Sequence, residues 1–136
     1  VPGVPVVNAA AARLGAPLMN DYAVISLSDL LTPWEVIVQR LTHAAQSDMV
    51  ICLYNPKSTK RSRQIKEAQS LLLYYRQRKT LVGIARNVGR QGETITVTTL
   101  GQMLRHKIDM LTVLIIGNST TTLCAGAMVT PRGYKL

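Results

Sequence analysis

The sequence predicts an α/β protein: a layered α/β/α domain on a mixed, mostly parallel sheet of about five strands. Two observations carry that expectation. Short apolar runs alternate with longer segments of helical periodicity along the chain. Three of those runs, Met49 to Leu53, Leu81 to Ala85 and Leu111 to Ile116, are apolar almost throughout, as expected of strands covered on both faces. With 136 residues, 47% of them hydrophobic, the chain has material for one core and not for two.

Each element follows from local chemistry. Asn8 to Leu14 is Ala-rich and runs into Gly15, Ala16 and Pro17, a short helix with a glycine stop and a proline beyond it. Tyr22 to Leu27 reads as a strand. Thr32, Pro33 and Glu35 supply an N-cap, a first-turn proline and the returning acid of a capping box. From Trp34 onward Ile37, Val38, Leu41, Ala44 and Ala45 recur at helical spacing, which makes Trp34 a core residue. The Met49 strand leads into a basic loop and then a helix from Ser62 to Arg78, with Ile65, Ala68, Leu72 and Tyr75 on one side. The Leu81 strand leaves through Asn87 to Glu93, a loop with two glycines. Thr94 to Thr98 alternates as a strand does, Thr99 and Gln102 could cap a short helix, and Leu111 to Ile116 and Met128 to Thr130 close the series.

Open α/β sheets bind ligands beyond the carboxyl ends of their strands. Three predicted strands end in loops that carry Asn55, Asn87 and Asn118, which nominates one edge as functional, although asparagine at strand ends is also ordinary turn chemistry. The richest of these ends is ICLYNPKSTKR, Ile51 to Arg61, where an apolar strand runs straight into cations. Net charge is +9, and ten Lys or Arg residues between Lys57 and Arg90 are opposed only by Glu67. Such a field attracts a polyanion, either nucleic acid or a small molecule with many carboxylates. Arg76, Arg78 and Lys79 have a plainer reading as cations at a helix C-terminus. A nucleic-acid module has little else in its favour: the chain has no Phe, its aromatics do not interleave with the basic run, and no RNA- or DNA-binding motif is present.

Other classes of chemistry find no support. His43 and His106 stand without nucleophilic or acidic partners at catalytic spacing, and Cys52 and Cys124 form no CxxC pair or metal motif. They read as reduced thiols of a cytoplasmic protein. No apolar run approaches the roughly 20 residues that span a bilayer, and no signal-peptide pattern opens the chain. Val1, Pro2 and Gly3 read like the middle of a loop, so a piece of a longer chain is expected.

Five segments, VPGV at Val1, LSDLLTPWEVI at Leu27, LYNPKS at Leu53, GIARNVGRQGE at Gly83 and MVTPRGY at Met128, together resemble the tetrapyrrole methylase family. The resemblance covers essentially the whole chain. It is greatest to members that methylate a corrin precursor at C17, with ring contraction, in cobalamin biosynthesis. It implies two α/β domains with S-adenosyl-L-methionine between them, S-adenosyl-L-homocysteine being the product. Residues 1–20 would then be the closing loop and helix of a preceding domain and residues 21–136 the second domain. The family's glycine-rich cofactor loop should precede Val1, so this chain alone should not transfer methyl groups. By position, the resemblance points to Pro5, Val6, Tyr54, Asn55, Val88, Thr130 and Pro131 as cofactor contacts. The substrate would be a small tetrapyrrole with several carboxylates, and Lys57, Arg61, Arg90 and Arg132 could pair with them. No metal and no membrane is expected. Surface exposed by the missing domain should drive assembly into a homodimer or larger. A different methyltransferase of this fold is the alternative.

Overall fold

The computed structural model describes residues 3–133; Val1 and Pro2 of the first motif and Tyr134 of the last lie outside them. Helix α1 (Val6–Leu14) begins directly after Pro5 and stops at Gly15, where φ is +136°. Only glycine adopts that backbone without strain. A Cβ there would also stand 2.8 Å from the Met128 carbonyl oxygen, because β1 (Gly15–Ala16) pairs in parallel with β8 (Ala127–Val129). With β7 (Thr122–Cys124), antiparallel to β8, these form a small three-stranded sheet. β1 and β7 are too short to carry a readable alternation.

The main sheet uses β2 (Tyr22–Ser26), β3 (Val50–Tyr54), β4 (Leu81–Arg86), β5 (Thr94–Thr99) and β6 (Thr112–Ile116), in the order β2-β3-β6-β4-β5. Helix α2 (Trp34–Gln46) links β2 to β3, and α3 (Arg63–Tyr75) links β3 to β4. A single 3₁₀ turn, Met103–Arg105, stands where a short helix was expected after Thr99. The α/β class and the mixed five-stranded sheet agree with the sequence, but the sheet is not mostly parallel. Only β2 and β3 pair in parallel, while β3–β6, β6–β4 and β4–β5 are antiparallel. The loop from Asn87 to Glu93 is too short for a parallel crossover, which needs about a dozen residues, so β4 and β5 form a hairpin. β6 is buried along its whole length, and such a strand carries no mark of its direction.

Helices α2 and α3 cover one face of the sheet, where Ile37, Leu41, Ile65 and Leu72 meet Ile51, Leu53, Ile84 and Leu114. Helix α1 covers the other, with Val7, Ala10, Ala11 and Leu14 against Val50, Cys52, Ala85, Val113 and Ile115. Strand alternation explains the partition, since successive residues of β3 and β6 fall in opposite clusters. Trp34 packs partly buried against the first cluster with the Arg63 guanidinium 5.8 Å from its ring centroid. The capping box is not formed: Pro33 is the N-cap of α2, and no side chain caps it. Helix α3 ends at Tyr75, short of the expected Arg78, and Arg76 turns inward. Its guanidinium donates to the carbonyls of Gly117 (2.8 Å), Ala44 (3.3 Å) and Met49, so it caps the end of α2 rather than its own helix. No helix among the described residues is long and apolar enough to cross a membrane.

Candidate functional site

Strand direction decides which loops meet. β2, β3 and β4 end at one edge of the sheet, and β6, running the other way, begins there. The residues after Ser26, Tyr54 and Arg86 therefore converge with the turn that precedes Thr112. Asn118 follows the C-terminal end of β6 and lies at the opposite edge, so the three asparagines do not share one edge. There Asn118 Oδ1 accepts from Thr120 N, Thr120 Oγ1 and Thr121 Oγ1, as a turn-forming asparagine does.

At the shared edge Asn55 and Asn87 adopt φ of +49° and +55°, the left-handed region that asparagine tolerates better than other non-glycine residues. Each turns the chain sharply off its strand, which exposes backbone beside the sheet. Between them lies a cavity of about 360 Å³. Tyr54, Asn55, Asn87 and Val88 border it from β3 and β4, Val4 and Val6 from the start of α1, and Leu111 to Val113 from the start of β6. Its size is within the range of small-ligand sites, and its walls are mainly apolar with a few polar groups, as such sites are.

The β6 wall was not legible in the sequence, because a parallel sheet would put the start of β6 at the other edge. The residue that builds it is Asp109. Its carboxylate accepts from Arg86 Nε (2.8 Å), the Leu111 amide (2.9 Å) and Thr112 Oγ1 (3.1 Å). The Thr112 hydroxyl also accepts from the Asp109 amide. Burial pushes the Asp109 carboxyl up, but the Arg86, Leu111 and Thr112 hydrogen bonds and the Arg86 charge outweigh it, so it titrates below the ordinary value. The reciprocal Asp-x-x-Thr pattern is the one sequence signal that could have pointed to this turn.

The remaining candidates scatter. Pro5 stands between two lining residues, and its carbonyl accepts from the Ala9 amide. Arg90 borders the cavity. Arg61 donates to the Leu27 carbonyl (3.0 Å) and lies 3.7 Å from Met110 Sδ, which ties the basic loop to its neighbours. Lys57, on the same loop, is half-buried. Thr130 is fully buried and bonds Thr121 Oγ1 at 2.7 Å, at the Asn118 edge, so it and the exposed Pro131 are not brought to the cavity of Asn55 and Val88. Arg132 is exposed and donates to the Met19 carbonyl. A larger cavity, about 620 Å³, opens at that opposite edge, but its floor is already committed. Arg76 binds carbonyls there, and both Asp48 oxygens accept from Ser119. Volume alone does not make it the site. Among the described residues no three His, Cys, Asp or Glu side chains are grouped to hold a metal.

An α/β domain with a ligand-sized cleft at the strand-end edge defines a broad class, and comparison with known proteins narrows it. The profile of the Tetrapyrrole (Corrin/Porphyrin) Methylases matches residues 1–104, and the chain belongs to that family. It is 50% identical over 135 residues to the cobalt-factor III methyltransferase of Priestia megaterium, covering 99% of this chain and 25% of that protein. It is 47% identical over 136 residues to the probable cobalt-factor III C(17)-methyltransferase of Salmonella typhimurium, covering all of this chain and 56% of that protein. Among solved structures, the methyltransferase CobJ superposes with a TM-score of 0.86 at 36% identity, over 96% of this chain and 54% of that one. The cobalt precorrin-4 methyltransferase CbiF superposes with a TM-score of 0.68 at 25% identity, over 86% of this chain and 50% of that one. The chain thus spans little more than half, or less, of the relatives it matches.

Proposed function

We propose that this chain is the C-terminal half of a cytoplasmic methyltransferase that transfers a methyl group from S-adenosyl-L-methionine to C17 of a corrin precursor, with ring contraction, in cobalamin biosynthesis. The substrate is precorrin-3B or cobalt-factor III, the latter being named for relatives at 47–50% identity. In this reading residues 1–20 close the preceding domain and residues 21–136 form the second. The observation that carries it is the common cavity of Val6, Tyr54, Asn55 and Val88, assembled from three separate segments of a tetrapyrrole methylase.

The residues present suit the cofactor. Apolar walls from Val4, Val88, Leu111 and Val113 suit a flat heteroaromatic ring, and the Asn55 and Asn87 amides can serve the polar sugar and amino-acid parts. When bound, the cofactor supplies an electrophilic methyl group and leaves as S-adenosyl-L-homocysteine. Displacement at carbon asks the protein mainly for position, so these side chains orient and exclude water. Thr130 and Pro131, at the opposite edge of the sheet, would meet the cofactor only where it extends beyond this cavity. Lys57, Arg61 and Arg90 hold the substrate's carboxylates, Arg61 at the cost of its Leu27 bond, with Arg132 the most remote member of that set.

The test is mass spectrometry of the full-length protein incubated with S-adenosyl-L-methionine and cobalt-factor III: a product heavier by one methyl group supports the reading, and unchanged substrate opposes it. Replacing Lys57 and Arg90 by Ala should weaken substrate binding, and unchanged affinity removes them from the site. The chain taken alone exposes Val4, Val6, Met110 and Leu111 around the cleft, which favours a homodimer or larger assembly. A monomer mass by light scattering contradicts that part.

A further inference from the structure

A second cavity, about 270 Å³, shares Tyr54 and Asn55 with the first as a common wall and extends toward β2 and α2. Its polar lining consists of Ser26, Ser28, Thr32 and Arg40, and Leu30 and Leu31 form its rim. The hydrogen bonds at this lining point one way. Ser26 Oγ accepts from the Ser28 amide (3.2 Å) and from Asn55 Nδ2 (3.3 Å), so its own hydrogen is left to donate onward. Arg40 is exposed, and its guanidinium is in none of the ion pairs formed among the described residues. No carboxylate lines the cavity, and the nearest acid on the loop, Asp29, accepts from Gln64 Nε2 at 2.9 Å. The site therefore offers donors and positive charge, the complement of a carboxylate. Its rim is the reverse: Leu30 and Leu31 are 85% and 94% exposed, adjacent leucines with nothing packed on them in this chain. A carboxylate on a large apolar skeleton satisfies both halves at once.

We propose that this cavity takes a carboxylate arm of the tetrapyrrole substrate, with Arg40 as the pairing cation, Ser26 and Thr32 as further donors, and Leu30 and Leu31 against the carbon skeleton. The assignment rests on the function proposed above. It makes the Tyr54–Asn55 wall the divide between the methyl donor and this arm of the acceptor, and leaves Arg90, which borders the first cavity, to a different carboxylate of the substrate.

Two titrations of the full-length protein test it, one with uroporphyrin III, a stable tetrapyrrole with carboxylate arms, followed by fluorescence, and one with S-adenosyl-L-homocysteine, followed by calorimetry. Loss of one charged hydrogen-bonded pair should weaken uroporphyrin binding about tenfold in Arg40→Ala. Arg40→Lys should recover part of the loss, Leu31→Ser should also weaken it, and the S-adenosyl-L-homocysteine affinity should not change in any variant. Unchanged uroporphyrin affinity in Arg40→Ala overturns the subsite, and so does a loss confined to the S-adenosyl-L-homocysteine titration, which gives Arg40 to the cofactor's carboxylate. A wild-type protein that binds neither ligand overturns the proposed function and the subsite with it.

Discussion

Replacing Gly83 by Ala should loosen the seat of α1 on the sheet. Gly83 lies in β4 on the α1 face, and a Cβ there would stand 2.5 and 2.8 Å from the two methyl carbons of Leu14 and 3.2 Å from its Cγ. Leu14 is 3% exposed, so its side chain cannot swing into solvent without leaving the core. Overpacking of this kind costs about 1–3 kcal/mol. The effect should reach the cleft, because α1 also carries Val6, which lines the cavity beside Asn55 and Val88. The assay is a double-mutant cycle by urea denaturation. Leu14→Ala alone should cost about 2–5 kcal/mol through the void it leaves. The added methyl at position 83 partly fills that void, so Gly83→Ala combined with Leu14→Ala should be no less stable than Leu14→Ala. A coupling of about 1–3 kcal/mol is therefore expected. Additive costs would refute direct contact between the two residues as the cause.

Arg76→Ala should destabilise by about 3–5 kcal/mol, since it strips the carbonyls of Gly117, Ala44 and Met49 of a charged donor, and the urea midpoint reads it directly. Arg76→Lys should recover only part, because an ammonium cannot reproduce the fork. Asp109 is a carboxylate whose folded pKa is depressed, so its contribution is present above the unfolded value and fades as pH falls through the folded one. The stability gap between wild type and Asp109→Asn should therefore close below about pH 4, and a gap independent of pH would contradict the Arg86 pairing. Burial pushes the Cys52 thiol up to about 12, whereas Cys124 is exposed. Maleimide labelling followed by peptide mass spectrometry should modify Cys124 in the native state and Cys52 only after denaturation.

Much of the fold was legible because it rests on local chemistry. The 3.6-residue spacing from Trp34 and the apolar runs at Met49, Leu81 and Leu111 locate helices and strands to within a few residues. Gly15 ends α1 as a glycine stop should. The Thr32–Glu35 capping box failed because that pattern is also compatible with Pro33 serving as the cap by its backbone alone. Arg76 illustrates the same limit: its position after a helix suggests the dipole of α3, yet its partners come from α2, from the residue before β3 and from the residue after β6, all distant in sequence. Of the residues around the cavity, Asn55 and Val88 lie within quoted family segments and Val6 lies two residues beyond one, so their neighbourhood could be picked out along the chain. The wall from Met110 to Val113 and the second cavity with Arg40 were not, because their membership depends on which loops become neighbours.

By itself, then, the sequence determined the order and type of the longer helices and main-sheet strands, the family, and the loops at Asn55 and Val88, all matters of spacing and side-chain chemistry along one stretch of chain. Only the tertiary structure decided that β6 enters between β3 and β4 in the opposite direction. That insertion sends Asn118 away from the cleft and brings Asp109 to it. The reason is physical: a strand buried on both faces is equally apolar read either way, so its direction is set by which partners its backbone hydrogen bonds find.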